Sequence, residues 1–257
     1  MSLRSSLRRK VLVFPFLGFY VKFFWGKSSS KYILELNGNR KALADESWSE
    51  IALSVKSVFG MLLVSRKGTS VSDGALISDY LRSRISKELE NPCKCSAIEI
   101  IDIEFLSDPC FLLLEDHIVS IKSVLSEIIL PVNSSHGDLH RDNFVVMDGE
   151  LKVIDWAMYS ARSSFLLDYL HFYCREICSI FKVSWVEAIW LSMPEWQKLS
   201  AEFDIPLDRL RLIYSLDRIS LELGQDSGLL MLKPDKYRHV VGRLVGSICP
   251  PLEIVGF

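Results

Sequence analysis

The sequence predicts an α+β protein, with a small antiparallel sheet and one helix first, then a mostly helical region that carries one well-marked hairpin. Three observations predict it. The first third mixes short apolar runs with turn signals such as Asn37-Gly38. The last third places Leu166, Tyr169, Leu170, Tyr173 and Ile177 at helical spacing. Between them, Phe144-Val145-Val146-Met147, Asp148-Gly149 and Leu151-Lys152-Val153-Ile154 read as strand, type I′ turn and strand. A boundary near residue 82 divides the chain into 1–81 and 82–257.

Residues 11–21 form an apolar run behind basic residues and superficially imitate a signal peptide. Pro15 and Gly18 interrupt it, Lys22 ends it, and a membrane-spanning helix needs about 20 apolar residues. The run reads as a first strand or as an interfacial segment. Gly26-Lys27-Ser28 looks like the end of a phosphate loop, but Val21 stands where a Walker motif needs glycine, which leaves only a looser Gly/Ser turn over phosphates. Residues 31–36 read as a strand, Asn37-Gly38 as its turn and residues 40–44 as the return. Ser47-x-x-Glu50 is a capping box, predicting a helix that bears Ile51, Val55 and Val58.

Residues 62–65 and 75–78 read as short strands, the second leading through Asp79-Tyr80-Leu81 into a connector. After a break at Asn91-Pro92, residues 117–129 are helical and Pro131 ends them. Ser163 or Ser164 caps the next helix, with Asp168 in its first turns. Ser184-x-x-Glu187 is a second capping box, residues 207–223 are apolar on one face, and a last helix covers 237–245 before Pro250-Pro251.

The chemistry concentrates in His136 to Trp156, HGDLHRDNFVVMDGELKVIDW. A turn centred between residues 148 and 149 sets residue 143 opposite residue 154, so Asn143 and Asp155 lie side by side at the open end of the hairpin. Asp138 and His140 lie on the loop feeding the first strand and arrive at the same end. Oxygen ligands beside a rigid two-stranded support suit a hard cation such as Mg²⁺. Kinases use this arrangement, with one Asp for the acceptor hydroxyl and an Asn and an Asp for the metal on the nucleotide phosphates. A metal-dependent phosphoesterase built on Gly137-Asp138 and His140 is the competing reading, but it needs an early Asp-x-His cluster that the sequence lacks. His117, His171 and His239 are isolated and read as structural histidines.

With His136-Gly137-Asp138 where protein kinases carry His-Arg-Asp, and Ile154-Asp155-Trp156 where they carry Asp-Phe-Gly, the sequence resembles the aminoglycoside phosphotransferase and choline kinase branch of the protein kinase-like fold. The matched motif covers about twenty residues, with weaker support to about residue 175. The resemblance implies two lobes with ATP and Mg²⁺ between them, Asp138 as catalytic base, Asn143 and Asp155 as metal ligands, and His136, His140 and Asp168 in support. In that family a strand Lys pairs with a helix Glu to hold the phosphates. Lys41 and Glu50 are the expected pair here, with Lys31 a strand earlier and Glu35 at an otherwise attractive position for the lysine. A non-catalytic kinase-like nucleotide-binding module is the alternative that this departure leaves open.

Composition sets the bounds. With 49% hydrophobic and 24% charged residues the chain is an ordinary globular protein. Its net charge of −2 conceals seven basic and no acidic residues in 1–31. Such a basic end favours an anionic membrane surface or ligand. Nucleic acid is not expected, because no recognised binding motif accompanies the charge. The six cysteines, Cys93, Cys95, Cys110, Cys174, Cys178 and Cys249, match no four-ligand zinc spacing and read as reduced thiols of a cytoplasmic protein. The expected partner is a small-molecule or glycan hydroxyl acceptor, with peripheral membrane contact through the basic N-terminus.

Overall fold

Residues 11–16, 18–24, 29–71, 74–111, 113, 115–191, 193–225 and 234–248 are described by the structure, a computed structural model. The chain separates into two compact units, one made of residues 1–84 and 134–161, the other of 85–133 and 162–257. The first break falls inside a helix, close to the expected boundary. The segment with the HGD and IDW motifs, expected in the C-terminal lobe, packs with the N-terminal unit.

The first unit holds a four-stranded antiparallel sheet in the order β1-β2-β4-β3, with β1 at Val11–Phe16, β2 at Phe19–Phe24, β3 at Val55–Val58 and β4 at Leu62–Arg66. The apolar run read as one strand is thus a hairpin and its continuation. Pro15 falls on β1, an edge strand of this sheet among the described residues, which is where strands accommodate proline because alternate N–H groups face away from the partner. The expected phosphate turn at 26–28 lies outside the described residues.

Helix α1, Ser29–Ala44, replaces the expected strand, turn and return strand. Its buried positions are Tyr32, Glu35, Gly38, Asn39 and Ala42, a helical spacing written mostly in polar and small residues, which an apolar periodicity does not reveal. Gly38 sits in mid-helix, where a Cβ would come 1.8 Å from the carbonyl oxygen of Trp156. The Asn37-Gly38 pair is therefore a site of close helix approach and not a hairpin turn.

The capping box at Ser47 does not start a helix. The N–H of Ser47 donates to Asp45 Oδ1 at 2.9 Å, Trp48 is fully buried, and Leu53 N–H donates to the Val153 carbonyl at 2.9 Å. This segment is a turn followed by the approach to β3. Residues 75–78, expected as a strand, open α2, Gly74–Glu90, which buries Ile77, Leu81 and Ile85 every fourth residue.

The hairpin formed by β9, Phe144–Met147, and β10, Glu150–Val153, follows the expected register, with Glu150 opposite Met147. Before β9 in the chain come β5, Thr69–Ser70, which pairs with it, β6, Lys94–Ser96, β7, Ile129–Pro131, and β8, Asn133–Ser135. Strand β11, Ser160–Ser163, pairs with β8.

The second unit is mostly helical. It contains α3, Glu115–Glu127, α4, Phe165–Phe181, α5, Trp185–Ala188, α7, Leu207–Gln225, and α8, Pro234–Ile248, close to the expected helices, and α6, Pro194–Glu202, for which the sequence reading has no counterpart. Ser184 and Glu187 form the second capping box as read. Trp196, Tyr214 and Tyr237 are almost wholly buried in its core.

Candidate active site

The site is built by side chains that hold one another's backbone. His136 is completely buried on the loop leaving β8. Its Nδ1 accepts the N–H of Asp138 at 3.2 Å, so the proton must reside on Nε2, which donates to the Ile154 carbonyl at 2.9 Å. Burial lowers the affinity of this ring for a second proton, and the inward-pointing N–H of Asp138 leaves no place for one. The ring thereby ties the residue bearing the candidate base to the strand end bearing Asp155.

Gly137 lies between, at φ +79°, and a Cβ there would meet the Met158 carbonyl oxygen at 2.4 Å. Asn143 closes the other side, donating from Nδ2 to the Asp138 carbonyl at 2.9 Å. Both backbone polar groups of Asp138 are thus engaged by motif side chains, which aims a carboxylate that stays partly open to solvent. His140 approaches it with Nε2 at 3.8 Å from Asp138 Oδ2, beyond hydrogen-bond reach.

Ile154 N–H donates to the Asn143 carbonyl at 3.0 Å, which extends the hairpin pairing by one step and sets Asp155 beside Asn143. Asp155 then takes the left-handed region at φ 69°, a conformation short polar residues tolerate, and turns the chain into the 3₁₀ segment Trp156–Met158. Trp156 packs on His136 and Trp48, with ring centroids 4.6 and 5.0 Å away.

Among the described residues no ion pair joins Lys41 to Glu50, the expected lysine–glutamate pair. Lys41 lies exposed in the last turn of α1, and Glu50 is exposed in a turn where its carbonyl accepts Lys152 Nζ at 2.7 Å. Lys22 on β2 meets a helix glutamate instead, its Nζ 2.6 Å from Glu35 Oε1 on α1 and 3.4 Å from Asp155 Oδ2. Burial opposes the Lys22 charge, but Asp155 and Glu35 together outweigh it and hold the ammonium protonated well above the usual lysine range. Burial pushes the Glu35 carboxyl up to about 7 against the pull of Lys22, and Asp155 adds to the push.

The sequence signal for Lys22 was its position as the one charge in FYVKFF, and Glu35 was the residue that displaced a lysine from its expected place. Two further supports were missed. Asn39 donates to the Leu53 carbonyl at 2.7 Å and accepts from Val55 N–H at 3.1 Å, which fastens α1 to the start of β3. Tyr159 donates to Asp45 Oδ2 at 2.7 Å. Asp168 is buried in the first turns of α4, in the other unit.

A cavity of about 580 Å³ opens among these groups. Val55, Leu63, Val71, Phe144 and Val145 line it with apolar surface, while Lys22, Glu35, Arg141 and Asp155 supply charge. This size and division suit a ligand with a flat apolar part and an anionic tail. Asn143 and Asp155 offer one amide and one carboxylate oxygen, a donor set that fits Mg²⁺, which keeps waters and takes substrate phosphates as its remaining ligands.

The chain aligns in structure with choline kinase LicA from Streptococcus pneumoniae at a TM-score of 0.55 and 13% identity, over 96% of this chain and 94% of that one. The fold is that of the choline kinases and aminoglycoside phosphotransferases. A thermostable mutant of aminoglycoside phosphotransferase APH(4)-Ia, in ternary complex with AMP-PNP and hygromycin B, aligns at a TM-score of 0.54 and 13% identity, over 97% of this chain and 94% of that one. Its apo form gives 0.51 at the same identity and coverage. No family model and no curated protein matches the sequence. The kinase-like fold is thus carried by the structure at an identity where sequence comparison is silent.

Proposed function

We propose that this chain is an ATP- and Mg²⁺-dependent phosphotransferase acting on a hydroxyl of a small molecule or a glycan. The observation that carries the reading is the meeting of Lys22, Glu35 and Asp155 in the cavity beside the Asp138 loop. The apolar part of the cavity would take the base and Lys22 the phosphates. Mg²⁺ on Asn143 and Asp155 would offset charge on the phosphoryl oxygens. Asp138 orients the acceptor hydroxyl and receives its proton as the acceptor oxygen bonds to phosphorus and ADP leaves. The reading places the protein in the cytoplasm with its nucleotide, in peripheral contact with the inner face of the membrane through the basic N-terminus.

A small acceptor is favoured over a protein. Twelve residues separate Asp155 from Asp168, and no Ala-Pro-Glu lies among them. They are occupied by the 3₁₀ segment, β11 and the start of α4, which leaves no long segment for a peptide to dock on. The test supplies labelled ATP with generic proteins and, separately, with pools of sugars, amino alcohols, aminoglycosides and glycolipids. Label is expected on a small acceptor only. It should fall about 10²- to 10⁴-fold in Asp138→Ala and be lost in Asp155→Asn or with chelator. Label on protein side chains that disappears in Asp138→Ala would overturn the acceptor class, and activity near the original rate in Asp155→Asn would overturn the metal site.

A further inference from the structure

The four-stranded sheet has a second face that the phosphotransfer reading does not use. Tyr20 and Lys22 of β2, Leu63 and Ser65 of β4 and Val55 of β3 line the cavity. Strand alternation places Phe19, Val21 and Phe23, Leu62 and Val64, and Lys56 and Val58 on the opposite face. A sheet face exposed to water is ordinarily polar. Here the five aliphatic and aromatic residues Val21, Phe23, Val58, Leu62 and Val64 are only half-buried, and Phe19 is 44% exposed.

The β3–β4 turn extends this surface. Phe59 is 86% exposed and Met61 45%. Phe59 and Gly60 both have positive φ, at 53° and 67°. The β9–β10 turn solves the same backbone problem with Asp148-Gly149, at 54° and 83°. That is the residue pair such turns favour. Phenylalanine in the left-handed region strains the turn and leaves a ring in water, so local stability does not explain its presence.

Charge identifies the occupant. The four strands and the β3–β4 turn contain no acidic residue. Lys56 on this face and Lys67 beyond β4 are exposed, while Arg66 is paired with Asp148 at 2.9 Å. Val11 pairs with Phe24, whose N–H donates to the Met61 carbonyl at 3.0 Å, so the chain enters the sheet at the same end as the Phe59 turn. The residues before that entry include Arg4, Arg8, Arg9 and Lys10 and no acidic one. Two copies brought face to face would bring together two sheet faces that carry exposed lysine and no acidic strand residue. An anionic bilayer accepts both the apolar side chains and the charge.

We propose that the outer sheet face and the Phe59 turn dock on an anionic lipid surface, with Phe59 and Met61 inserted at the level of the headgroups. This goes beyond the phosphotransferase reading and does not depend on it. The test measures binding of the full chain to phosphatidylcholine vesicles with and without phosphatidylglycerol, at low and high salt, beside Phe59→Asn. This substitution gives the turn its preferred Asn-Gly pair, so the melting temperature should hold or rise. Vesicle affinity should drop about tenfold, and a residue of binding to anionic vesicles that survives salt in the parent chain should be absent in the variant. Equal binding by parent and variant, no binding to either vesicle, or a dimer in solution that Phe59→Asn dissociates would each overturn the proposal.

Discussion

The Asp138–Asp155 motif and the Lys22–Glu35 pair converge on one cavity but are assembled in opposite ways. The first is one loop and one hairpin, in which bonds from His136 and Asn143 and the turn at Asp148-Gly149 position the candidate groups. The second joins a strand to a helix 13 residues further on, and neither partner has its place until β2 and α1 have packed. Local bonds make a site readable from its letters. Packed surfaces make one that depends on the fold. Substitutions in the motif should therefore act on chemistry, whereas those in the α1 region should also act on stability.

The largest effect expected from this contrast is at Lys22. Lys22→Ala removes the ammonium that would face the phosphates and leaves Glu35 and Asp155 without it, so kcat/KM for ATP should fall about 10²- to 10³-fold. Lys41→Ala and Glu50→Ala, both at exposed positions, should stay within about twofold of the parent. A loss at Lys41 as large as that at Lys22 would break the assignment of the pair.

Gly38→Ala sharpens the comparison through stability. Helix propensity alone predicts a gain of about 1 kcal/mol. The contact with the Trp156 carbonyl predicts a loss of about 2 kcal/mol or more, read as a melting temperature lower by roughly 4–8 °C. An unchanged or raised melting temperature would mean that α1 does not approach the Trp156 backbone closely.

The smallest effect belongs to His136. Its folded-state pKa lies below the unfolded value of about 6.5, so the neutral ring contributes fully above that pH, and the contribution is lost as pH falls below it. Between pH 7 and pH 5.5 the unfolding free energy of the parent should decline more than that of His136→Asn. Equal declines in urea melts at the two pH values would show that the ring titrates alike in both states.

The hairpin, its register and α3, α4, α5, α7 and α8 of the second unit were legible because each announces itself within a few residues. Asp148-Gly149 dictates a turn, Ser184 and Glu187 cap each other, and α4 repeats apolar residues along its face. Helix α1 failed that test because its buried stripe is Tyr, Glu, Asn and Ala, and because Gly38 signals a turn to any local rule. The Ser47 box failed because Asp45 captures the Ser47 N–H first and Arg84 reaches the Ser47 carbonyl from α2. Trp156 against Gly38 and Arg84 against Ser47 are tertiary partners that lie outside any short window of sequence, whereas Asp45 competes for the Ser47 N–H from two residues away.

The position of Trp156 has an optical consequence. Its indole is 1% exposed, donates to the Val153 carbonyl at 3.1 Å and stands against the His136 ring, one residue beyond Asp155. A protonated imidazole quenches a neighbouring indole far more than a neutral one does. The emission of this one tryptophan, isolated by comparison with Trp156→Phe, is therefore a built-in gauge of the bond that joins the Asp138 loop to the Asp155 corner. It can be read in the intact protein before any acceptor is known.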